Sequence, residues 1–259
     1  MTEGGFRVLY LVTLSIVLPA YNESGVIRKN LEYVALWLRS QKIKAELIVV
    51  DDGSKDETVS EVQKVSKKYS EVSVIANEHR GKGFAVFTGV QAAHGEQVLM
   101  MDVDLATPIE EYSRFAKELN GADIVIASRE AKGAKRIGEP WFRHFIGRVF
   151  NLLVVQLIAL PGINDSQCGF KLFKKEAARR IFKRLIVYGP EAKLAKKPFL
   201  GALDVEVLFI AKLLGYKIKE LGVTWTYAPT TRLNFFSTSF KMARDVLRIR
   251  VNGLLGRYS

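Results

Sequence analysis

The sequence predicts an α/β fold in which helices flank a mostly parallel sheet, and three observations predict it. Short apolar runs recur through the first half, each closed by a Pro, Gly or Asp signal. Segments of about 10–15 residues with helical apolar spacing separate those runs, which is the pattern of βαβ units. Charged or polar clusters stand where three of the runs end, at residues 19–23, 51–54 and 102–104. With 259 residues and 48% hydrophobic content, the chain can bury a large core.

In order, Leu14 to Leu18 reads as a buried strand that stops at Pro19. Ser24 to Ser40 places Val26, Leu31, Val34, Leu36 and Leu38 among charges, a helix with Ser24 as expected N-cap. Glu46 to Val50 is a second strand, stopped by Asp51-Asp-Gly-Ser54. A helix near Glu57 to Tyr69, a strand at Val72 to Ala76, a helix from about Lys82 to Ala93 and a strand at Gln97 to Met101 continue the series. The next helix begins near Pro108, whose missing N–H is harmless in a first turn. Ile124 to Ala127 closes the alternation.

Beyond Arg129 the pattern changes. Trp141 to Leu160 reads as an amphipathic helix with Trp141, Phe145, Val149 and Leu152 on one stripe. Lys171 to Arg184 is strongly basic, Lys193 to Pro198 is a loop, Asp204 to Leu214 is helical and Lys217 to Val223 is a strand. Phe236 to Leu254 repeats Phe236, Phe240, Ala243, Leu247, Val251 and Leu254 on one stripe, flanked by Lys241, Arg244 and Arg248. Such a helix either packs on the domain or lies in the plane of an anionic membrane.

Charge divides the chain. Residues 1–128 carry 14 Lys+Arg against 18 Asp+Glu, a balance of −4, and residues 129–259 carry 25 against 9, a balance of +16. The second half therefore suits an anionic partner: phosphate, anionic lipid or nucleic acid. A nucleic-acid module would interleave aromatics with Lys and Arg on one surface, whereas here the aromatics follow helical stripes. The longest apolar stretches, Val8 to Leu18 and Leu152 to Leu160, fall short of the roughly 20 residues that span a bilayer. One cysteine, Cys168, leaves no disulfide framework and reads as a packed small residue.

In a parallel sheet, ligands bind at the carboxyl ends of the strands, where the three clusters should gather. Asp102-Val-Asp104 would present two carboxylates on one side of an extended backbone. Their mutual repulsion is relieved by a hard divalent cation, Mg2+ or Mn2+, whose other positions take phosphate oxygens. Asp52 can accept from a nucleotide's base or ribose while Gly53 turns the backbone. Gly81-Lys-Gly83 opens a helix, so its N–H groups and Lys82 favour an anion. The histidines lack metal-ligand spacing; His94 and His144 fall on expected helices.

Pro19-Ala-Tyr-Asn-Glu23, Asp51-Asp-Gly-Ser54, Gly81-Lys-Gly83 and Asp102-Val-Asp104 together resemble the nucleotide-sugar domain of family-2 inverting glycosyltransferases. Ser128-Arg129, the Arg143 region, residues 165–173, Leu203-Asp-Val-Glu206 and Val223-Thr-Trp225 are similar to the dolichyl-phosphate glucosyltransferases and, more distantly, the dolichyl-phosphate mannose synthases. The resemblance covers about Leu14 to Arg250. It implies a GT-A fold, with residues 1–128 as the nucleotide-sugar half and residues 129–259 as the acceptor-binding, membrane-facing half of one domain.

The resemblance also implies site residues. Pro19, Tyr21, Glu23 and Asp52 would line the nucleotide pocket, with Lys82 beside the phosphates. Asp102 and Asp104 would meet the donor, Asp104 being the expected direct metal ligand. Arg129 and Arg143 match positions that hold the lipid phosphate, with Arg136 and Arg148 as second choices. One departure is Ala106, where mannose synthases carry a Gln that also touches the metal; Thr107 or water would substitute. The implied reaction moves glucose from UDP-glucose to dolichyl or another polyprenyl phosphate, at the cytoplasmic face of a membrane, by a peripheral or monotopic protein. GDP-mannose as donor and a glycan hydroxyl as acceptor are the alternatives; the latter would make Asp204 the base, and otherwise Asp204 and Glu206 are partners of buried cations.

Overall fold

The computed structural model describes residues 12–141, 144, 147, 148, 151, 152, 160–191, 201–227 and 235–259, with residues 235–239 described by their backbone alone. The elements are β1 (Leu14–Ala20), α1 (Ile27–Ser40), β2 (Ala45–Asp51), α2 (Thr58–Lys68), β3 (Val72–Ala76), α3 (Lys82–Ala92), β4 (Gln97–Met100), α4 (Tyr112–Glu118) and β5 (Ile124–Ser128). They continue with β6 (Lys135–Ile137), β7 (Lys171–Lys174), α5 (Lys175–Phe182), α6 (Leu203–Leu213), β8 (Ile218–Gly222), β9 (Thr224–Thr226) and α7 (Phe235–Leu254).

Among the described residues, seven strands form one sheet in the order β3-β2-β1-β4-β7-β5-β8. Every pairing in it is parallel except the two made by β7. Strand residues alternate between faces, and helices cover both, so both sets are apolar. In β1, Leu14, Ile16 and Leu18 enter a core with α1, α2 and α4. Val17, between them, enters the opposite core with α3, α5, α6 and α7. Gly89 seats α3 directly on the sheet: a Cβ there would lie 2.4 Å from Val17 Cγ1.

Successive crossovers carry β1 to β2 to β3 in one direction, and the chain then returns to place β4 on the other side of β1. That reversal between β1 and β4 is the switch point at which open α/β sheets bind ligands. The C-terminal ends of β1, β2 and β4 meet there, as the sequence predicts. β7 runs antiparallel between β4 and β5, so its first residue, Lys171, is paired with Met100 at this same edge.

Several expectations change. Ser24 does not cap α1; residues 24–26 form a turn, the Ser24 N–H donates to Asp56 Oδ2 at 3.1 Å, and the helix begins at Ile27. His94 lies beyond the end of α3, where its N–H donates to Glu46. The stretch read only as basic, 171–184, contains β7 and α5, because Leu172 and Phe173 insert into the core between the charges. The short β6–β9 ribbon was not foreseen. Trp141, His144, Gly147 and Arg148 are helical as expected; the rest of that helix, Arg143 and the 193–198 loop lie outside the described residues.

Candidate active site

The site is assembled from chain segments that leave β1, β2 and β4 and enter β7. At the end of β2, Asp51 Oδ2 accepts from the N–H groups of Gly53 and Ser54, closing a turn that needs Gly53 at φ 74°. Asp52, only 3% exposed, turns its carboxylate toward residues 79–81. It accepts from the N–H groups of Arg80 at 2.9 Å and Gly81 at 2.9 Å, and lies 2.8 Å from His79 Nδ1. Burial raises the Asp52 pKa against the opposing pull of those hydrogen bonds. Tyr21, at the end of β1, stacks on His79 with ring centroids 4.4 Å apart. Pro19 and Glu23 are half-buried on the same strand end, and the Glu23 N–H donates to Thr58 Oγ1.

The loop held by Asp52 delivers Lys82, the first residue of α3, whose Nζ lies 2.5 Å from Asp102 Oδ1. Asp102 and Asp104 are not on an extended strand: β4 ends at Met100, and Leu105 at φ 54° completes a turn that returns its N–H to the Asp102 carbonyl. The turn leaves Asp104 exposed, accepting on Oδ1 from the Ala106 N–H. Thr107 turns inward instead, 3.5 Å from Cys168 Sγ.

Behind this pair lies a second one, whose cation the sequence reading did not identify. Lys171 is fully buried, and its ammonium donates to the Cys168 carbonyl and to Asp204 Oδ1. Asp204 is thus the partner of a buried cation, at the start of α6. Four charges of alternating sign result, from Lys82, Asp102, Lys171 and Asp204. Burial would raise the Asp102 pKa, but Lys82, Lys171 and Arg129 outweigh it and lower it. Burial would lower the Lys82 pKa, but Asp102, Asp204 and Asp104 raise it. Desolvation and, after it, the Asp102 charge push the Asp104 carboxyl up. The signal for Lys171 was present in the sequence as one Lys within the apolar run Gly-Phe-Lys-Leu-Phe.

Gly169 allows the close fit. A Cβ there would fall 2.0 Å from Asp102 Oδ2 and 2.6 Å from its Cγ, so the strand entering β7 lies with bare backbone against the carboxylate. The same loop supplies Asp165, which grips Arg129 in two places, Nε to Oδ2 at 2.7 Å and Nη2 to Oδ1 at 2.8 Å. Burial raises the Asp165 pKa less than Arg129 lowers it, leaving it at about 2. Arg129 also stacks over Trp225, 5.2 Å from the ring centroid. Glu206, expected beside cations, instead accepts from the N–H groups of Ile186, Val187 and Tyr188 and from the Tyr258 hydroxyl, which fastens the C-terminus to α6.

The donor set suits a hard divalent cation. Asp104 and Asp102 offer two carboxylates, and among the described residues no group of three His, Cys, Asp or Glu gathers to hold a metal. Mg2+ and Mn2+ sites of this kind are completed by substrate phosphates and water.

Residues 15–182 match the family described as Glycosyl transferase family 2. The dolichyl-phosphate beta-glucosyltransferase of Dictyostelium discoideum is 35% identical over 263 residues, covering 95% of this chain and 76% of that protein. Its Homo sapiens counterpart is 34% identical over 261 residues, covering 95% and 77%. In three dimensions, glucosyl-3-phosphoglycerate synthase from Mycobacterium tuberculosis, solved with Mn2+ and UDP-glucose, aligns over 95% of this chain and 78% of its own with a TM-score of 0.62 at 20% identity. Mannosyl-3-phosphoglycerate synthase from Rubrobacter xylanophilus aligns over 95% and 76% with a TM-score of 0.65 at 18% identity. These two likenesses concern the fold.

Proposed function

This chain belongs to glycosyl transferase family 2, and from that premise we propose that it transfers glucose from UDP-glucose to dolichyl phosphate, or to a related polyprenyl phosphate, with inversion. The observation that carries the proposal is the meeting of Lys82, Asp102 and the exposed Asp104 at the β1–β4 switch point. Two carboxylates and one ammonium in that crevice suit a nucleotide diphosphate with its metal. Likeness to the dolichyl-phosphate beta-glucosyltransferases over 95% of the chain supports the sugar and the acceptor.

In this reading Pro19, Tyr21 and Glu23 line the nucleotide pocket, and Asp52 acts through the 79–81 loop that it holds. Lys82 would meet the diphosphate, and Asp104 first and Asp102 second would hold the metal between the carboxylates and the phosphates. When bound, Mg2+ or Mn2+ supplies positive charge opposite the leaving diphosphate. The ion pair to Asp102 fixes where the Lys82 ammonium stands before UDP departs, so no reorganisation is needed as negative charge develops.

A phosphate monoester is already anionic near neutral pH. Its oxygen forms the new bond to the anomeric carbon as the bond to the diphosphate breaks, and UDP leaves with that electron pair. No general base is required, which agrees with an Asp204 engaged by Lys171. Arg129 and Arg143 are the candidates for holding the acceptor phosphate, Arg143 lying outside the described residues.

The acceptor also favours a membrane surface. Along α7, Met242, Val246 and Ile249 are buried, whereas Phe240, Leu247, Val251 and Leu254 are all more than half exposed. Arg244 and Arg248 flank that apolar stripe, an arrangement suited to the plane of an anionic bilayer. Among the described residues, no helix is long and apolar enough to cross a membrane. The protein would act from the cytoplasmic face as a peripheral enzyme.

The test is a panel of UDP-glucose and GDP-mannose against dolichyl, undecaprenyl and short-chain polyprenyl phosphates, with and without Mn2+. The expected product is a glucosylated lipid phosphate with metal-dependent release of UDP. Mannosyl transfer from GDP-mannose alone would replace the donor, and failure with every phosphorylated polyprenol would overturn the proposal.

A further inference from the structure

Asp245 is the only acidic residue of α7, and it stands on the helix's inner face, with the buried Met242, Val246 and Ile249. It is 3% exposed, and a carboxylate so placed is costly unless it is partnered. Arg244 and Arg248 lie 3.3 and 3.5 Å from its Oδ1, but their side chains are 60% and 57% exposed, so those pairs are weak. The stronger partner comes from another part of the chain. In the loop after α5, the Tyr188 hydroxyl donates to Asp245 Oδ2 at 2.8 Å. The same phenolic oxygen accepts from the Ala202 N–H at 2.6 Å, at the residue that precedes α6. Burial, and then the Asp245 charge, push the Tyr188 phenol up, so it keeps the proton that it donates.

Two glycines let the backbone close around this side chain. A Cβ at Gly83 would lie 2.8 Å from Tyr188 Cβ and 2.9 Å from Cδ1, and one at Gly201 would lie 2.6 Å from Cζ and from the hydroxyl oxygen. Neither glycine has a positive φ, so close approach, not backbone conformation, is what the missing Cβ provides. Gly83 follows Lys82 in the first turn of α3, and Gly201 lies three residues before Asp204. Lys82 and Asp204 are the two ends of the alternating chain of charges Lys82, Asp102, Lys171 and Asp204. One side chain is therefore packed against both segments that carry those ends, and its hydroxyl is bound to a third element, α7.

We infer that Tyr188 is a positioning residue of the donor site: its ring seats Lys82, its hydroxyl seats the start of α6, and Asp245 of α7 holds the phenol in place. The inference rests on the placement of the donor at Lys82 and Asp102 proposed above. It adds that the C-terminal helix helps to set that placement from the far side of Tyr188. Without the hydroxyl, the Ala202 N–H and the Asp245 carboxylate both lose their shared partner, and the two segments are no longer tied to each other or to α7.

Three substitutions test one hydrogen bond from both sides. Tyr188→Phe removes the hydroxyl and leaves the ring between the two glycines. Asp245→Ala removes the acceptor and leaves the phenol, while Asp245→Asn keeps an oxygen that accepts from it. Amide hydrogen exchange without ligand reads the order of residues 81–85 and 202–206. Calorimetric titration with UDP-glucose and with GDP-mannose in Mn2+ reads the donor site, and the thermal midpoint shows that each variant is folded. We expect faster exchange in both segments for Tyr188→Phe and Asp245→Ala, and about tenfold weaker binding of whichever donor the wild type takes. The double variant should bind no more weakly than either single one, because both remove the same bond. Asp245→Asn should recover most of what Asp245→Ala loses. Unchanged exchange in the folded variants overturns the inference. Faster exchange with wild-type donor affinity also overturns it, since Tyr188 would then serve stability alone. If the wild type takes neither nucleotide sugar, the donor reading fails, and exchange at residues 81–85 still decides whether Tyr188 positions Lys82.

Discussion

Gly169→Ala addresses the donor site without altering any charge. Gly169 is not among the glycines with positive φ, so alanine is compatible with its backbone. The added Cβ would stand 2.0 Å from Asp102 Oδ2, 2.6 Å from Cγ and 2.9 Å from Oδ1. Rotation about Cβ–Cγ moves the oxygens but leaves Cγ in place, so the whole Asp102 side chain must swing. Restoring an ordinary contact takes a shift of about 1 Å, which removes the carboxylate from Lys82; misplacements of that size lower rates by about 10²-fold. The corresponding loss in kcat/KM is about 2.7 kcal/mol of transition-state stabilisation. Steady-state glucosyl transfer, calorimetric UDP-glucose affinity in Mn2+ and the thermal midpoint should be measured together. We expect a large fall in kcat/KM, weaker donor binding and a nearly unchanged midpoint. Wild-type kcat/KM and wild-type donor affinity in this variant would refute the placement of Asp102 at the donor.

Other outcomes follow from the same geometry. Asp204→Asn leaves the fully buried Lys171 ammonium without its counter-charge and should lower unfolding stability by about 3–5 kcal/mol in urea titrations; an unchanged midpoint would show that the pair is dispensable. Asp165 has a folded pKa of about 2, below its ordinary value of 3.8. Its ionised form therefore contributes roughly 2–3 kcal/mol above pH 4, lost as pH falls through 2. The stability gap between wild type and Asp165→Asn should narrow over that window, and a gap independent of pH would contradict it. Leu247→Glu, on the exposed face of α7, should weaken binding to phosphatidylserine vesicles while sparing the melting transition; undiminished vesicle binding would remove α7 from the membrane contact.

The local periodicities were legible because they are written in neighbouring residues. β3 spans Val72–Ala76 and α2 Thr58–Lys68, close to the ranges that apolar spacing suggests. Asp102 and Asp104 could be found because an acidic pair after an apolar run is a local signal. β7 was not legible, since four residues with a Lys at either end give too little period to separate a strand from a basic loop. Its place between β4 and β5 depends on partners 45 to 77 residues earlier in the chain, contacts that no window of sequence contains.

What the sequence determined by itself was therefore the alternation of strands and helices, the strand ends where polar groups gather, and the family to which their motifs belong. Tertiary structure alone decided how those groups are spent. It turned Asp52 onto its own loop, set Lys171 beneath Asp102, engaged Asp204 and Arg129 with partners, and exposed the apolar stripe of α7. The physical reason is range: propensity and periodicity act between near neighbours, whereas the partner of a buried charge is chosen by which strands and loops the fold brings within hydrogen-bond distance.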